Sequence, residues 1–233
     1  SFHEGMYIPV TFTVWAALSG FSRLVSGRID PAVFHNANLI VHLLNVLILY
    51  GVLRFLLSGE KGEEGRREWA AAAGALLFAV HPLQAEPVIW ISSLKDLLCG
   101  FFSLLALRNY LRYARAVILN RSNPSLNRRQ RKRYACWASV FFIPALLAKP
   151  AAVVVPILAW LLTRFRWNEE ELSGRKTPIT GLFRAPSGLL VTWVAISLPV
   201  MIAAKLAEKD IPLGFTAPLR ARTRGRLAAQ AIH

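Results

Sequence analysis

Charged residues are scarce in this sequence, acidic ones especially. Of 233 residues 18% are charged, with 13 Asp and Glu against 28 Lys and Arg. The two cysteines, Cys99 and Cys136, lie in apolar segments without CxxC or metal-ligand spacing, so we expect buried free thiols and no disulfide framework. Phosphate-binding glycine motifs, the HExxH motif and repeats of roughly 20 to 50 residues are also missing. Nucleotide hydrolysis, zinc-protease chemistry and a solenoid fold therefore have no support.

Long apolar runs dominate the chain instead. Hydrophobic residues make up 55% of it and the mean hydropathy is +0.41, which is typical of a membrane protein. The net charge of +15 comes from basic residues in short segments between the apolar runs. That distribution is typical of membrane topology and not of a nucleic-acid-binding surface, so we expect no nucleic-acid partner. The predicted fold is all-α, a polytopic transmembrane helical bundle.

The apolar runs predict about six membrane helices, some short or broken. The run Tyr7–Gly20 is too short to cross a membrane and fits an interfacial or re-entrant helix. Proline disfavours helix at the residue before it and removes a backbone donor, so we expect breaks at His81–Pro82 and Lys149–Pro150. The remaining segments are Pro31–Leu57, a helix from Trp69 to the first break, Asp96 to about Tyr113, a hairpin within Tyr134–Phe165 around the second break, and Ser187 to about Ala207.

The basic loops predict the orientation of the bundle. Segments 58–68, 112–133 and 164–184 are rich in Lys and Arg, and the positive-inside rule places them in the cytoplasm. The extracytoplasmic side then receives residues 1–30, the connection 81–96, the turn at Lys149 and the tail from Glu208. Because the chain starts at Ser1 without signal-peptide features and ends in a basic run, we expect one partial transmembrane domain (1–233) that is a fragment of a larger one.

Glu86 and Asp96 are the strongest candidates for chemistry. They are the only carboxylates between Trp69 and Arg166, and we expect them at the membrane surface. Carboxylates in that position can orient a substrate, act as a base or hold a divalent cation. The structural alternative is that Asp96 caps a helix while Glu86 pairs with Lys95. The pattern alone leaves both readings open.

Other polar residues cluster on the same predicted side. Lys95 and Lys149 are candidates for binding a lipid phosphate, whereas Lys205 fits snorkelling from a helix end. His81, at a helix break, could carry a proton or bind a metal, or simply donate a structural hydrogen bond. Two weaker candidates are His3, before the first apolar run, and Tyr7, at its start.

A helical spacing links four polar residues of the segment Pro31–Leu57. They are His35, Asn38, His42 and Asn45. Helical geometry puts them along one face, and such side chains commonly join helices inside a membrane. We therefore expect interhelical hydrogen bonds from this face.

The order of these motifs resembles a known family. The motifs are Phe2–His3 with Tyr7, Pro9 and Thr11; Phe34–His35 with Asn38, His42 and Asn45; Phe78–Pro82 with Glu86, Trp90, Lys95 and Asp96; and Leu147–Pro150. Together they resemble the membrane domain of the transmembrane and tetratricopeptide-repeat-containing protein O-mannosyltransferases and their bacterial relatives, a branch of the GT-C glycosyltransferases. The similarity extends over nearly the whole chain, but the repeats that usually follow this domain are not visible.

The resemblance implies a function as well as a fold. It implies transfer of a sugar, mannose, from a polyprenyl or dolichyl phosphate donor to a protein or glycan acceptor, often a Ser or Thr hydroxyl, at the extracytoplasmic face of a bacterial inner membrane or the endoplasmic reticulum. The matching positions are His81, Glu86, Lys95, Asp96 and Lys149. The principal acidic residue of GT-C enzymes would fall before Ser1, so we expect residues 1–233 alone to be inactive. A transporter or lipid flippase, and a non-catalytic membrane scaffold, are the alternatives.

Overall fold

A computed structural model describes residues 8–58, 64–122, 128–172 and 187–209, which are predominantly helical. The elements are α1 (Pro9–Ser26), α2 (Pro31–Leu57), α3 (Glu64–Val80), a 3₁₀ turn (Pro82–Gln84), α4 (Ala85–Ile89), a second 3₁₀ turn (Ile91–Ser93), α5 (Leu94–Ser122), α6 (Arg128–Ala148), a third 3₁₀ turn (Pro150–Val154), α7 (Val155–Leu172) and α8 (Ser187–Lys209). The all-α prediction is confirmed.

Helix α2 is a membrane helix that buries polar residues and exposes apolar ones. Asn38, His42 and Asn45 are buried, while Leu43 and Leu47 are 51% and 65% exposed. This pattern is the reverse of a soluble helix and is expected where lipid surrounds the bundle. Within the described residues, α2 and the segment Gly188–Leu206 of α8 are long and apolar enough to cross a membrane. The pair α3 and Pro82–Ile89 adds a third crossing if it is counted as one bent span.

Several helices extend further into the charged segments than the apolar runs predict. Helix α3 begins at Glu64 instead of Trp69, α5 continues to Ser122 past Tyr113, and α6 begins at Arg128 instead of Tyr134. Arg, Lys and Glu are good helix formers, so a helix can leave the apolar layer without ending. The basic segments are therefore partly helical.

Helices α5, α6, α7 and α8 share the main core. Trp193 of α8 is fully buried and stacks on Phe142 of α6, with ring centroids 4.4 Å apart, and its Nε1 donates to Ser139 Oγ at 3.0 Å. Small residues line the contact between α5 and α6, among them Ala106, Ala114, Ala138 and Ala145. Small side chains let the helix backbones approach closely, which is how helices associate in lipid.

Helix α1 ends in a tight turn that leads into α2. Gly27 adopts φ 68°, a left-handed conformation that suits glycine, and its N–H donates to the carbonyl of Arg23. Asp30 caps α2 by accepting a hydrogen bond from the N–H of Ala32 at 2.9 Å, and Pro31 occupies the first helical position. This turn brings the start of α2 back beside α1.

The contacts between helices separate the two ends of the bundle. Asn45 of α2 bonds to Leu97 near the start of α5, while Phe55 near the end of α2 contacts Arg115 further along α5. Helices α2 and α5 therefore run parallel and pack directly on each other, while α3 runs antiparallel to α2. One end of the bundle holds both helix breaks, and the opposite end, called the basic end below, holds the pair of Arg54 with Glu68 and the described basic residues at the end of α5 and the start of α6.

Both cysteines are free thiols. Cys99 is half-buried, but Cys136 of α6 is exposed. The prediction of burial is therefore wrong for Cys136, because an apolar segment surrounded by lipid has an outward face as well as an inward one.

Candidate functional site

Two proline-induced breaks lie at the same end of the bundle. His81 and Lys149 each precede a proline and adopt extended backbone conformations, at φ −63°, ψ 132° and φ −157°, ψ 129° respectively. The chain bends by 54° between α3 and the segment Pro82–Ile89. The predicted breaks are confirmed, and their cause is the restriction that proline places on the preceding residue.

Side chains from α2 hold the irregular connection between α3 and α5. Asn38 Nδ2 donates to the carbonyl of Trp90 at 2.9 Å and makes longer contacts to those of Val88 and Pro87, at 3.3 and 3.4 Å. A helix break leaves carbonyls without their usual partners, and these contacts satisfy them inside the protein.

The next two turns of α2 bond to the helices on either side of this connection. His42 Nε2 donates to the carbonyl of Ala79 at 3.1 Å, and Asn45 Nδ2 donates to that of Leu97 at 3.0 Å. The predicted interhelical role is therefore confirmed for Asn38, His42 and Asn45. His35, in contrast, is exposed and makes no such bond to a described residue.

Asp96 and Lys149 form an ion pair between the two breaks. Asp96 lies in the first turn of α5, and its Oδ1 accepts a hydrogen bond from Nζ of Lys149. The two side chains are 32% and 37% exposed, so the pair remains accessible from outside the bundle. The negative charge of Asp96 also suits the N-terminus of α5.

The break at Lys149 is anchored by its own backbone. Its N–H donates to the carbonyl of Ala145 at 3.1 Å, and its carbonyl accepts from the N–H of Ala152 at 3.1 Å. Thr11 of α1 donates to the adjacent carbonyl of Ala148 at 3.4 Å. These bonds determine the path of the chain around Lys149, so its side chain extends from an ordered turn.

The other candidates of the 81–96 connection occupy different environments. The ring of His81 accepts a hydrogen bond at Nδ1 from the N–H of Leu83 at 3.2 Å, which caps the turn after the break. Glu86 is exposed in α4 and forms no ion pair with any described residue, so the simple pairing with Lys95 is not formed. Lys95 is half-buried in the first turn of α5, next to Asp96.

The structure gives less information on two candidate residues and on metal binding. His3 and Tyr7 lie outside the described residues. Within the described part of the chain, no three His, Cys, Asp or Glu side chains converge as a metal site would require. At the end with the breaks, Asp96 offers carboxylate oxygens beside the cationic Lys149.

The pairing of Asp96 with Lys149 is the contact that sequence reasoning missed. Both residues were candidates and both were assigned to one side of the membrane, but 53 positions separate them. The sequence shows a proline after Lys149 and an aspartate at the start of a helix. Neither feature identifies the residue with which Lys149 or Asp96 pairs. The hydrogen bond from Thr11 to the carbonyl of Ala148 could not be predicted from the sequence either.

Partial sequence similarity connects this chain to known transferases. Over 93 residues it is 36% identical to the human protein O-mannosyl-transferase TMTC4 and 34% identical to the mouse protein of the same name. Each alignment covers 37% of this chain and 12% of the relative, so the chain matches about an eighth of those proteins. No family model and no solved structure matches the chain. The similarity supports a glycosyltransferase-like role, and together with the apolar helices it indicates an integral membrane protein.

Proposed function

We propose that this chain is part of a membrane glycosyltransferase of the GT-C type. In this proposal the enzyme transfers a sugar, mannose, from a polyprenyl or dolichyl phosphate donor to a Ser or Thr hydroxyl of an acceptor protein on the extracytoplasmic side. The observation that carries it is the ion pair between Asp96 and Lys149, which joins two helix breaks at the end of the bundle opposite the basic segments. The partial similarity to an O-mannosyltransferase supports the reaction class.

Lys149 suits the donor side of the reaction. When the acceptor oxygen attacks the anomeric carbon of the sugar, the bond from that carbon to the phosphate oxygen breaks and its electron pair stays on the phosphate. An ammonium group nearby stabilises the developing negative charge. The Lys149 side chain is 37% exposed, which leaves it open to a phosphate, and Lys95, the residue before Asp96 in the first turn of α5, adds a second positive charge.

Asp96 and Glu86 suit the acceptor side. A carboxylate within hydrogen-bond reach of the acceptor hydroxyl orients it, and the principal base of the enzyme takes its proton. Asp96 is held by Lys149, whereas Glu86 is exposed and free of any ion pair among the described residues. In this proposal Asp96 positions the acceptor or a divalent cation beside the phosphate, and Glu86 contacts the acceptor further out.

The test uses the complete gene product in lipid with a polyprenyl-phosphate mannose donor and a Ser/Thr acceptor peptide. Loss of an oriented charge at such a site typically costs about 100-fold or more in rate. We expect D96N and K149Q each to lower sugar transfer by that order while the protein stays folded and inserted. The matched control is the other ion pair, Arg54 Nη2 to Glu68 Oε1 at 2.6 Å, at the opposite end of the bundle. R54Q and E68Q should leave transfer close to that of the unaltered protein.

A charge swap separates a structural role from a functional one. The double variant D96K/K149D restores an ion pair but exchanges the positions of the two charges. If the pair only holds the breaks together, this variant should recover sugar transfer. Recovery, or full transfer by D96N and K149Q, would overturn the site assignment and favour a scaffold role.

A further inference from the structure

Three arginines form one face of α5 at the basic end of the bundle. They are Arg108, Arg112 and Arg115, spaced by four and three residues, so they lie above one another on the helix. Arg108 and Arg112 are half-buried and Arg115 is exposed. We call these three residues the α5 arginine face.

Helix α2 supplies a close neighbour for two of these guanidinium groups. A Cβ on Gly51 would lie 3.9 Å from both Nε and Cζ of Arg108, so the glycine leaves room for the guanidinium against the helix backbone. One turn later, Cζ of Arg115 lies 5.6 Å from the ring centroid of Phe55, within the range of a cation–π contact. The arginine face is therefore held in place beside α2.

No carboxylate neutralises this face within the described part of the chain. Of the described carboxylates at this end, Glu68 is paired with Arg54, and Glu64 is exposed in the first turn of α3. Arg108, Arg112 and Arg115 form no ion pair with a described residue. Like charges one turn apart repel each other, and the repulsion grows where water is partly excluded. An anion from outside the protein would relieve this repulsion.

The position of the face within the membrane identifies the chemistry of that anion. Gly51 and Phe55 belong to the last two turns of α2, a helix that crosses the membrane, and Gly51 is about 9 Å from its end at Leu57. The end of a membrane helix lies at the level of lipid headgroups. Guanidinium groups bind phosphate through paired N–H donors, and anionic lipids are the abundant phosphates of that layer.

We infer that the α5 arginine face binds the phosphate headgroup of an anionic phospholipid. The site lies between α2 and α5 in the leaflet at the basic end, which the positive-inside rule assigns to the cytoplasm. It is independent of the proposed transferase site, because the Asp96–Lys149 pair lies at the other end of α5. The bound lipid would stabilise the contact between α2 and α5.

The test measures lipid retention by the complete gene product in mild detergent. Phosphatidylglycerol and phosphatidylcholine are titrated separately, and bound lipid is counted by native mass spectrometry. We expect phosphatidylglycerol to bind with the higher affinity, and R108Q/R112Q to weaken that binding about tenfold or more, since each cation near a headgroup contributes on the order of 1 kcal/mol. The control is R128Q/K132Q, which removes the same charge from exposed positions of α6 at the same end.

Substitutions at Gly51 test the position of the Arg108 guanidinium without changing the charge of the protein. In G51A the new methyl group still fits, at 3.9 Å from the Arg108 guanidinium, whereas the larger side chain of G51L has to displace it. We expect G51A to retain phosphatidylglycerol and G51L to lose affinity. Both variants also report on the site if R108Q/R112Q fails to fold.

Three results would overturn the inference. Equal losses in R108Q/R112Q and R128Q/K132Q would show diffuse attraction to the whole basic surface. Unchanged phosphatidylglycerol binding in G51L would show that the position of the Arg108 guanidinium beside Gly51 plays no part in binding. Displacement of the lipid by millimolar inorganic phosphate would show that the face binds free phosphate instead of a headgroup.

Discussion

Asn38 makes the clearest prediction about how the bundle holds its candidate site. It is fully buried on α2, and its amide group is the tie between that helix and the connection that leads to Asp96. The change N38L keeps a similar side-chain size and removes the donor. Trp90, Val88 and Pro87 then lose their contacts with α2.

The expected magnitude follows from the geometry. An amide nitrogen carries two hydrogens, so the 2.9 Å bond to Trp90 uses one and the two longer contacts share the other. Two hydrogen bonds at about 0.5 to 1.5 kcal/mol each give a loss of about 1 to 3 kcal/mol. The Trp90 carbonyl also accepts from the N–H of Ser93 at 3.0 Å and keeps that bond in N38L, which limits the loss to about 1 to 2 kcal/mol.

Hydrogen exchange of the connection 82–93 is the assay. The amides of Gln84, Trp90 and Ser93 are bonded within this segment, at 2.8, 3.0 and 3.0 Å, and exchange only when it opens. A loss of 1 to 2 kcal/mol raises the open fraction, and therefore the exchange rate, by roughly 5- to 30-fold. Peptides from α6 should exchange at an unchanged rate.

Asn109 provides the matched control. Its Nδ2 donates to the carbonyl of Leu105 at 2.8 Å, one turn back in the same helix, so N109L breaks a side-chain bond without separating two elements. Unchanged exchange of residues 82–93 in N38L, or an equal increase in N109L, would refute the conclusion that α2 holds this connection.

Three further predictions concern packing and backbone and are checked by thermal unfolding of the purified protein. H42F keeps a ring against Phe78 but loses the hydrogen bond to α3, so we expect a loss of about 1 kcal/mol, whereas an unchanged melting temperature would show that the bond contributes nothing. W193F keeps an aromatic ring stacked on Phe142 but removes the indole N–H that bonds to Ser139, so the free energy of unfolding should fall by about 1 kcal/mol. A larger loss in W193F than in W193A would contradict the role given to the ring stack. G27A places a side chain at φ 68° and should destabilise the protein by about 1 kcal/mol. G20A, inside α1 with open space around it, should stabilise the protein by up to about 1 kcal/mol. A change in stability of the same sign for both variants would contradict the role of the left-handed turn at Gly27.

The helices and their breaks could be predicted from the sequence because their causes are local. Proline acts on its immediate neighbour, so the breaks at His81 and Lys149 follow from the dipeptides alone. The bounds of α2 follow from an Asp cap, a proline at the first position and a long apolar run. Helix ends inside charged segments could not be predicted from hydropathy. An apolar run shows which residues lie in the membrane, but a helix can continue beyond them.

The arrangement of the candidate site could be predicted only in part. Topology placed Asp96 and Lys149 on one side, yet their contact depends on how α5 and α6 pack along their whole length. The polar face of α2 was predicted to bond other helices, but its partners turned out to be backbone carbonyls of the broken segment. Such partners carry no side-chain signature, so periodicity shows that a face is buried without showing what it binds.

The ordered structure of the connection between α3 and α5 supports the proposed binding site at that end of the bundle. This connection contains a short helix between two 3₁₀ turns, and three buried side chains of α2 hold it and its flanks. Asn38 bonds to the connection itself, while His42 and Asn45 bond to the adjoining ends of α3 and α5. Burying Asn and His in a membrane helix is costly unless they are bonded, so the arrangement stabilises one path of the connection over others. That path ends at Asp96 in the first turn of α5, where Lys149 meets it from a second ordered break. Binding sites require charged groups held by surrounding contacts in this way, and a simple turn does not.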